Sequence, residues 1–318
     1  MTDSTTGDII MLYFFINPAS RSGKGARKWG EVEELLKKEQ IPYEAHFLEA
    51  NVSPRPVMDE IFTKECGDVS IVLIGGDGTV NQCLNGIPDF DRLLLSVIPT
   101  GSGNDFCRNK AIPSTLEEQL ANILEKKHRL EVDRAVIVLP GEHGVESKRS
   151  FIVSTGIGYD AEICHEANQS RLKKALNKIK LGKLVYLTIG VKGLFSANLS
   201  DMTVTIDGQT TDYHNVFFIA TMNQPFEGGG VAMTPKADDT DGQFDFLIVH
   251  GISRLKALCT VPLLYIKKHA GKPGVTLLTG KEITVSSSNK RTFHTDGECE
   301  EGCDAFRAYM DGKVHFIY

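Results

Sequence analysis

The chain lacks any long apolar run. A membrane-spanning helix needs about 18–20 consecutive apolar residues. The longest candidate, "LVYLTIGVKGLF" at 184–195, is shorter and carries Lys192. If this protein works on lipid, it is expected to visit a membrane surface rather than cross the bilayer. Excess positive charge is also missing. Against 35 Lys and Arg stand 41 Asp and Glu, a net charge of −6, which argues against nucleic acid as the main partner. Cysteine is sparse, odd in number and scattered, with seven residues in all. With no secretory leader in view, that usage predicts a reducing cytosol and no disulfide framework. Cys299 and Cys303 in "CEEGC" are the one close pair, and without a second pair they are poor metal ligands by spacing. Neither a Walker A sequence nor a G-x-G-x-x-G after the first strand occurs, so the P-loop and dinucleotide fingerprints are excluded. Repeats and low-complexity tracts are absent as well.

What is present is an ordinary globular composition, 41% hydrophobic and 24% charged, over 318 residues. That length exceeds what one core usually serves and predicts two domains. In the first, apolar runs alternate with helical patterns: "IIMLYFFIN" (9–17), a helix over 23–40, "YEAHFLEA", a helix opening near Ser53, "VSIVLIGG", a short helix in "TVNQCLNG", and "RLLLSVIP" (92–99). Ser114 three residues before Glu117 predicts a capping box for the next helix. Strands covered on both faces and joined by helices make a mostly parallel sheet. After Asp133 the period changes. Short strand-like runs separated by Gly, Asp and Asn predict a mainly antiparallel β domain, interrupted by helical segments at 161–195 and about 253–268. Asp207-Gly208 in "TVTIDGQT" is a type I′ hairpin signal. The final "KVHFIY" is compatible with a return to the first domain.

Ligands of open α/β sheets sit beyond the carboxyl ends of the strands. Three such ends here share a chemistry: "INPASRSGKG" (16–25), "IGGDGTVN" (74–81) and "IPTGSGNDF" (98–106). Gly75 and Gly76, then Gly101 and Gly103, allow tight turns whose N–H groups suit phosphate oxygens, and the first loop adds Asn17, Ser20, Ser22 and Lys24. Asp77 is the instructive residue. Read alone, it caps the following helix. Beside a phosphate cradle it would repel the ligand unless a cation such as Mg²⁺ lay between them.

"GGDGTVN", "PTGSGNDF" and the late "TDGE" (295–298) together resemble the bacterial diacylglycerol kinase-like lipid kinases, relatives of sphingosine kinases and, more distantly, of NAD kinases and phosphofructokinases. "EVDRAVI", "GIGYDAEI" and "GGGVAMTPKADDTDGQFDF" extend the match over the whole chain. The resemblance implies an α/β nucleotide-binding catalytic domain over 1–132, with 304–318 open as its completion. A β-sandwich lipid-substrate domain would occupy 133–303. It implies an ATP-dependent enzyme that phosphorylates a lipid hydroxyl, most simply diacylglycerol to phosphatidic acid. Nucleotide contacts carry over to Asn17, Pro18, Ala19, Ser20 and Arg21, to Gly75, Gly76, Asp77, Gly78, Thr79, Val80, Asn81 and Gln82, and to Gly101, Ser102, Gly103 and Asn104. Asp77 falls near the phosphates and catalytic Mg²⁺, Asp296 matches the general base, and Glu298 is the second carboxylate of that motif. Asp133 and Asp105 belong to the surrounding acidic network. Asp238, Asp241 and Gln243 match the surroundings of a separate structural Mg²⁺.

Three departures stand out. Gln82 replaces the Glu of "GGDGTxNE", Ala50 stands where many relatives have a nucleotide-contacting Thr, and "NPASRSGKG" is longer than the usual "NPxSG". By composition alone "DDTDGQFD" is a hairpin turn and "TDGECEEG" an acidic surface turn; the resemblance gives both more.

Between 167 and 200 there are seven Lys and Arg, among them Arg171, Lys173, Lys174 and Lys178, and no acid. A basic stretch next to an apolar one suits an anionic membrane surface, and it equally describes a solvated helix beside a buried one. The expected location is cytoplasmic, peripheral at the inner membrane face, with a homodimer left open. An NAD kinase-like enzyme and an inactive nucleotide-binding regulator of the same fold are the rival readings.

Overall fold

A computed structural model describes residues 11–141, 145–169, 190–191, 193–195 and 197–318. The helical and membrane-facing expectations for 170–189 lie outside the described residues. Contacts divide the chain into two compact units. The first comprises the N-terminal part to Gly101, Lys110–Glu131 and Val314–Tyr318; the second comprises Ser102–Asn109 and Val132–Lys313.

In the first unit, β1 (Leu12–Ile16), β2 (Tyr43–Phe47), β3 (Val69–Gly75) and β4 (Leu93–Pro99) pair in the order β2-β1-β3-β4, every pair parallel. Strands β1, β3 and β4 are buried on both faces, as their apolar sequences, interrupted only by Ser70 and Ser96, require. One face packs on α1 (Ser20–Lys38) through Trp29, Val32 and Leu36, and on Leu120 and Ile123 of α4 (Leu116–Leu124). Helices α2 (Arg55–Lys64) and α3 (Asp77–Leu84) complete the alternation. The chain end returns, as "KVHFIY" allowed: His315 and Phe316 pair in parallel with Leu94 and Leu95. Ser96 Oγ donates to the Ile317 carbonyl at 2.9 Å, and Asn122 Nδ2 to that of Tyr318 at 3.0 Å. The capping expectation moves by one residue. Thr115, not Ser114, caps α4, its hydroxyl accepting the Glu118 N–H at 3.4 Å. Both registers satisfy the S/T-x-x-E pattern, so spacing alone could not choose.

β5 (Arg129–Leu139) leads into the second unit. There β6 (Ser147–Phe151), β7 (Ser154–Gly158), β8 (Ser200–Ile206), β9 (Gln209–Met222), a short hairpin of β10 (Phe226–Glu227) and β11 (Val231–Ala232), β12 (Phe244–His250), β13 (Val275–Gly280), β14 (Glu282–Thr295) and most of β15 (Glu298–Ile317) pair antiparallel. Alternation along β12 shows how the unit is filled. Phe244, Phe246 and Ile248 enter one apolar cluster, while Leu247 and Val249 enter a second that includes Ala257 and Leu264 of α6 (Arg254–Tyr265). Tyr159, first residue of α5 (Tyr159–Gln169), joins that second cluster. Asp207-Gly208 makes the predicted hairpin turn with both φ angles positive, 47° and 83°. Among the described residues no helix is long and apolar enough to cross a membrane.

Candidate active site

The three loops at the carboxyl ends of β1, β3 and β4 meet at two successive main-chain carbonyls, those of Ile74 and Gly75. The Gly75 carbonyl accepts the Thr100 N–H at 2.7 Å and the Gly101 N–H at 3.3 Å. Asn17 N–H donates to the Ile74 carbonyl at 2.9 Å, and Asn17 Nδ2 to Thr79 Oγ1 at 3.2 Å. Ser20 Oγ and Thr100 Oγ1 share a bond of 2.6 Å. Glycine at 75 is a requirement of this junction, because a Cβ there would fall inside the Thr79 side chain. Gly25 is equally confined, since a Cβ would collide with the Asn17 carbonyl.

Asp77 occupies the first turn of α3, whose cap residue Gly76 offers no side-chain acceptor. The Gly76 carbonyl takes the Thr79 and Val80 N–H groups at 2.9 and 3.1 Å. Gly78 and Asn81 lie in the same helix, partly exposed. Gln82 does something a glutamate could not. Its amide nitrogen donates to two main-chain carbonyls, Glu49 at 3.0 Å and Val52 at 2.7 Å, clasping the turn that contains Ala50. Two of the three departures thus sit on one contact. The third, the longer first loop, holds Arg21, Ser22 and Gly23 in three successive left-handed conformations. Pro18 and Ala19 lie just before it.

Ser102, Gly103, Asn104 and Asp105 belong to the second unit. Asp105 is buried; its Oδ1 pairs with Arg108 Nε at 2.9 Å and its Oδ2 accepts the Gly229 N–H at 2.7 Å. Arg108 also donates to the Gly103 carbonyl at 2.7 Å and lies against Gly230.

Asp296 sits at a turn where Asp296 and Gly297 have φ of 48° and 86°, closing the β14–β15 hairpin. Although in a turn, it is only 6% exposed. Its carboxylate accepts three successive main-chain N–H groups, Ile152 at 3.2 Å, Val153 at 2.9 Å and Ser154 at 3.0 Å. The same segment is held from its other side by Asn223, which donates to the Ile152 and Asp133 carbonyls, each at 2.8 Å. Glu298 is exposed.

Asp133 is buried, and burial raises its carboxyl above the usual range against the opposing Gly242 N–H and Lys313. Its carboxylate turns to the 238–243 loop, taking the Gly242 N–H at 2.6 Å and pairing with Lys313 at 3.3 Å. In that loop Asp238 Oδ1 accepts from Thr240 N–H and Oγ1, and Asp241 Oδ1 from Gln243 N–H. Lys313 Nζ also donates to the Thr240 carbonyl at 2.9 Å, so an ammonium group already serves this turn.

Sequence reasoning passed over His294. It is fully buried, its Nε2 3.2 Å from Glu227 Oε1 and 3.5 Å from Asp160 Oδ2. Burial alone would lower its pKa, but Glu227 and Asp160 outweigh that and raise it to about 10. Burial pushes Glu227 up to about 7. Its only signal in the sequence was its place in "FHTDGE", two residues before Asp296 at the end of a strand-like run.

These features define a class: a Gly-Gly-Asp-Gly loop unit of parallel strands, followed by an antiparallel β unit. Residues 11–136 match the family model of the diacylglycerol kinase catalytic domain, and 152–310 that of the YegS C-terminal NAD kinase beta sandwich-like domain. The chain belongs to the diacylglycerol kinase-like lipid kinase family. It is 28% identical over 295 residues to the Bacillus subtilis protein named "Putative lipid kinase YtlR", covering 90% of this chain and 92% of that one. It is 28% identical over 284 residues to the diacylglycerol kinase of Staphylococcus aureus, covering 89% and 84%. A crystal structure of a diacylglycerol kinase from Bacillus anthracis superposes with a TM-score of 0.69 at 22% identity, covering 98% and 97%. Yeast NADH kinase in complex with NADH shares the fold at TM-score 0.54 and 11% identity, covering 97% and 83%.

Proposed function

We propose that the protein is an ATP-dependent kinase that transfers the γ-phosphate to the hydroxyl of a lipid alcohol, most simply diacylglycerol. The observation that carries this reading is the junction of three glycine-rich loops at the Ile74 and Gly75 carbonyls, just before α3. N–H groups at a helix start favour phosphate oxygens, and close backbone approach is what Gly75 and Gly76 permit. Asp77 in that turn fits a phosphate site only with a divalent cation, and Mg²⁺ supplies charge neutralisation there when bound. Asn17, Ser20 and Thr79 hold the loops in register.

An alcohol is a weak nucleophile while protonated. A carboxylate within hydrogen-bond reach takes its proton as the oxygen–phosphorus bond forms. We assign that role to Asp296, whose carboxylate is fixed in place by three N–H donors. Glu298 stands two residues on as the second acid of the motif. A structural Mg²⁺ at Asp238, Asp241 and Gln243 is part of the proposal, with Lys313 sharing its electrostatic role. Reversible contact with an anionic inner membrane face, through 171–192, is a further part.

The test is purified protein with γ-labelled ATP, Mg²⁺ and a panel of lipid alcohols, with NAD in the same panel. Labelled phosphatidic acid or another phospholipid product supports the reading. Labelled NADP would instead establish the NAD kinase-like alternative, to which the fold likeness to yeast NADH kinase gives its weight. Mg-ATP binding with no labelled product would establish a regulator.

A further inference from the structure

The interior of the second unit holds a histidine and two carboxylates that the proposed transfer does not use. His294 lies on β14, Asp160 in the first turn of α5 and Glu227 on β10. The His294 side chain is wholly buried, and those of Asp160 and Glu227 are 4% and 12% exposed. One donor atom from each lies within 4.8 Å of the others. Space for them is made by Gly156 on β7, where a Cβ would stand 2.5 Å from Asp160 Oδ2 and 2.8 Å from His294 Nε2.

Elsewhere in this unit buried charge is matched by partners. Asp296 has its three N–H donors, and Arg291 reaches Glu162, Ser200 and the Phe217 carbonyl. At this cluster Asp160 Oδ1 accepts the Ala161 N–H at 2.8 Å. Asp160 Oδ2, Glu227 Oε2 and His294 Nδ1 make no hydrogen bond, and His294 Nε2 meets the two acids only at ion-pair distances. Two buried carboxylates so placed are expensive unless something positive compensates them. One N–H on Nε2 cannot serve both acids. The separations of 3.2 and 3.5 Å also exceed the ~2.7–2.9 Å of a charge-assisted N–H···O bond. By contrast, two ligand atoms each ~2.1 Å from one ion lie roughly 3.0–3.4 Å apart in octahedral or tetrahedral geometry.

We propose that Asp160, Glu227 and His294 bind a single divalent transition-metal ion of the zinc or manganese type. The imidazole nitrogen selects against Mg²⁺ and Ca²⁺, and the two carboxylates select against soft monovalent copper. On tetrahedral zinc three protein ligands leave one position for water, and on octahedral manganese three. The ion joins α5, β10 and β14 beside Ser154, whose N–H donates to Asp296. It therefore organises the wall around that carboxylate, and it stands whether or not the kinase reading does.

The test measures metal rather than turnover. Full-length protein from cells grown with zinc and manganese is desalted and analysed by plasma mass spectrometry. Close to one equivalent of zinc or manganese per chain is expected, falling about tenfold in His294→Gln and Glu227→Gln and unchanged in Asp238→Ala. As a second measurement independent of variant folding, wild-type protein is refolded with chelator and then with Zn²⁺ or Mn²⁺. The metal should raise Tm by roughly 5 °C. Metal-free protein with no Tm response overturns the site and leaves a buried imidazolium between two acids. Metal retained undiminished in both glutamine variants overturns it too, assigning the ion to another place.

Discussion

At the scale of single residues, the proposed base Asp296 also holds the Ile152–Ser154 main chain, so one substitution disturbs both. Asn at 296 keeps one carbonyl oxygen but sets an NH₂ against the Ile152–Ser154 N–H groups, so Tm should fall along with activity. General-base assistance is typically worth about 10²–10⁴-fold, so kcat per folded molecule should drop by at least ~10²-fold. Calorimetric Mg-ATP binding separates the two effects. Binding retained with kcat lost supports the base, whereas wild-type kcat on the correct lipid removes the assignment. Gly75 is decided by volume. Gly75→Ala forces a Cβ into Thr79 and should cost about 2 kcal/mol or more, read by urea denaturation. An unchanged midpoint would mean that the junction yields more easily than its packing indicates.

At the scale of elements, α3 is tied to the loop after β2 by the Gln82 amide. Gln82→Glu turns a donor into an acceptor facing the Glu49 and Val52 carbonyls, and about 1–2 kcal/mol of stability should be lost. Faster amide exchange over 49–52 is the direct readout; unchanged exchange would show that the clasp is idle. At the end of β12, His250 packs edge-on against Tyr213 with ring centroids 4.7 Å apart, and its Nε2 is 3.0 Å from Thr276 Oγ1. Burial lowers its pKa, so between the folded and unfolded values the unfolded chain binds more protons. Its contribution is therefore complete above about pH 6.5 and declines as pH falls below that value. Wild-type Tm should drop more between pH 7.5 and 5.5 than that of His250→Gln, and parallel curves would exclude this source.

At the scale of the whole molecule, the proposed association with membrane rests on charge that composition hides. The chain is acidic overall, yet 167–200 is basic without a single acid. Each Lys or Arg near an anionic surface adds about 1 kcal/mol. Reversing Lys173, Lys174 and Lys178 to Glu should then weaken sedimentation with phosphatidylglycerol vesicles by at least ~10²-fold in partition, leaving Mg-ATP affinity in place. Equal loss of both would trace the effect to folding.

The sequence by itself determined the alternation of the first half, the change of period near residue 133, and the loops that bear Asn17, Gly75, Asp77 and Asp296. Those features are local: strand burial, turn φ and glycine spacing are written within a few residues of one another. The cap at Thr115 escaped it, because neighbouring registers satisfy the same pattern. Only the tertiary structure decided that Gln82 clasps the turn around Ala50, that Lys313 meets Asp133, and that Asp160, Glu227 and His294 converge. Such pairings join residues tens to more than a hundred positions apart. What brings them together is how the strands stack, which no local period encodes.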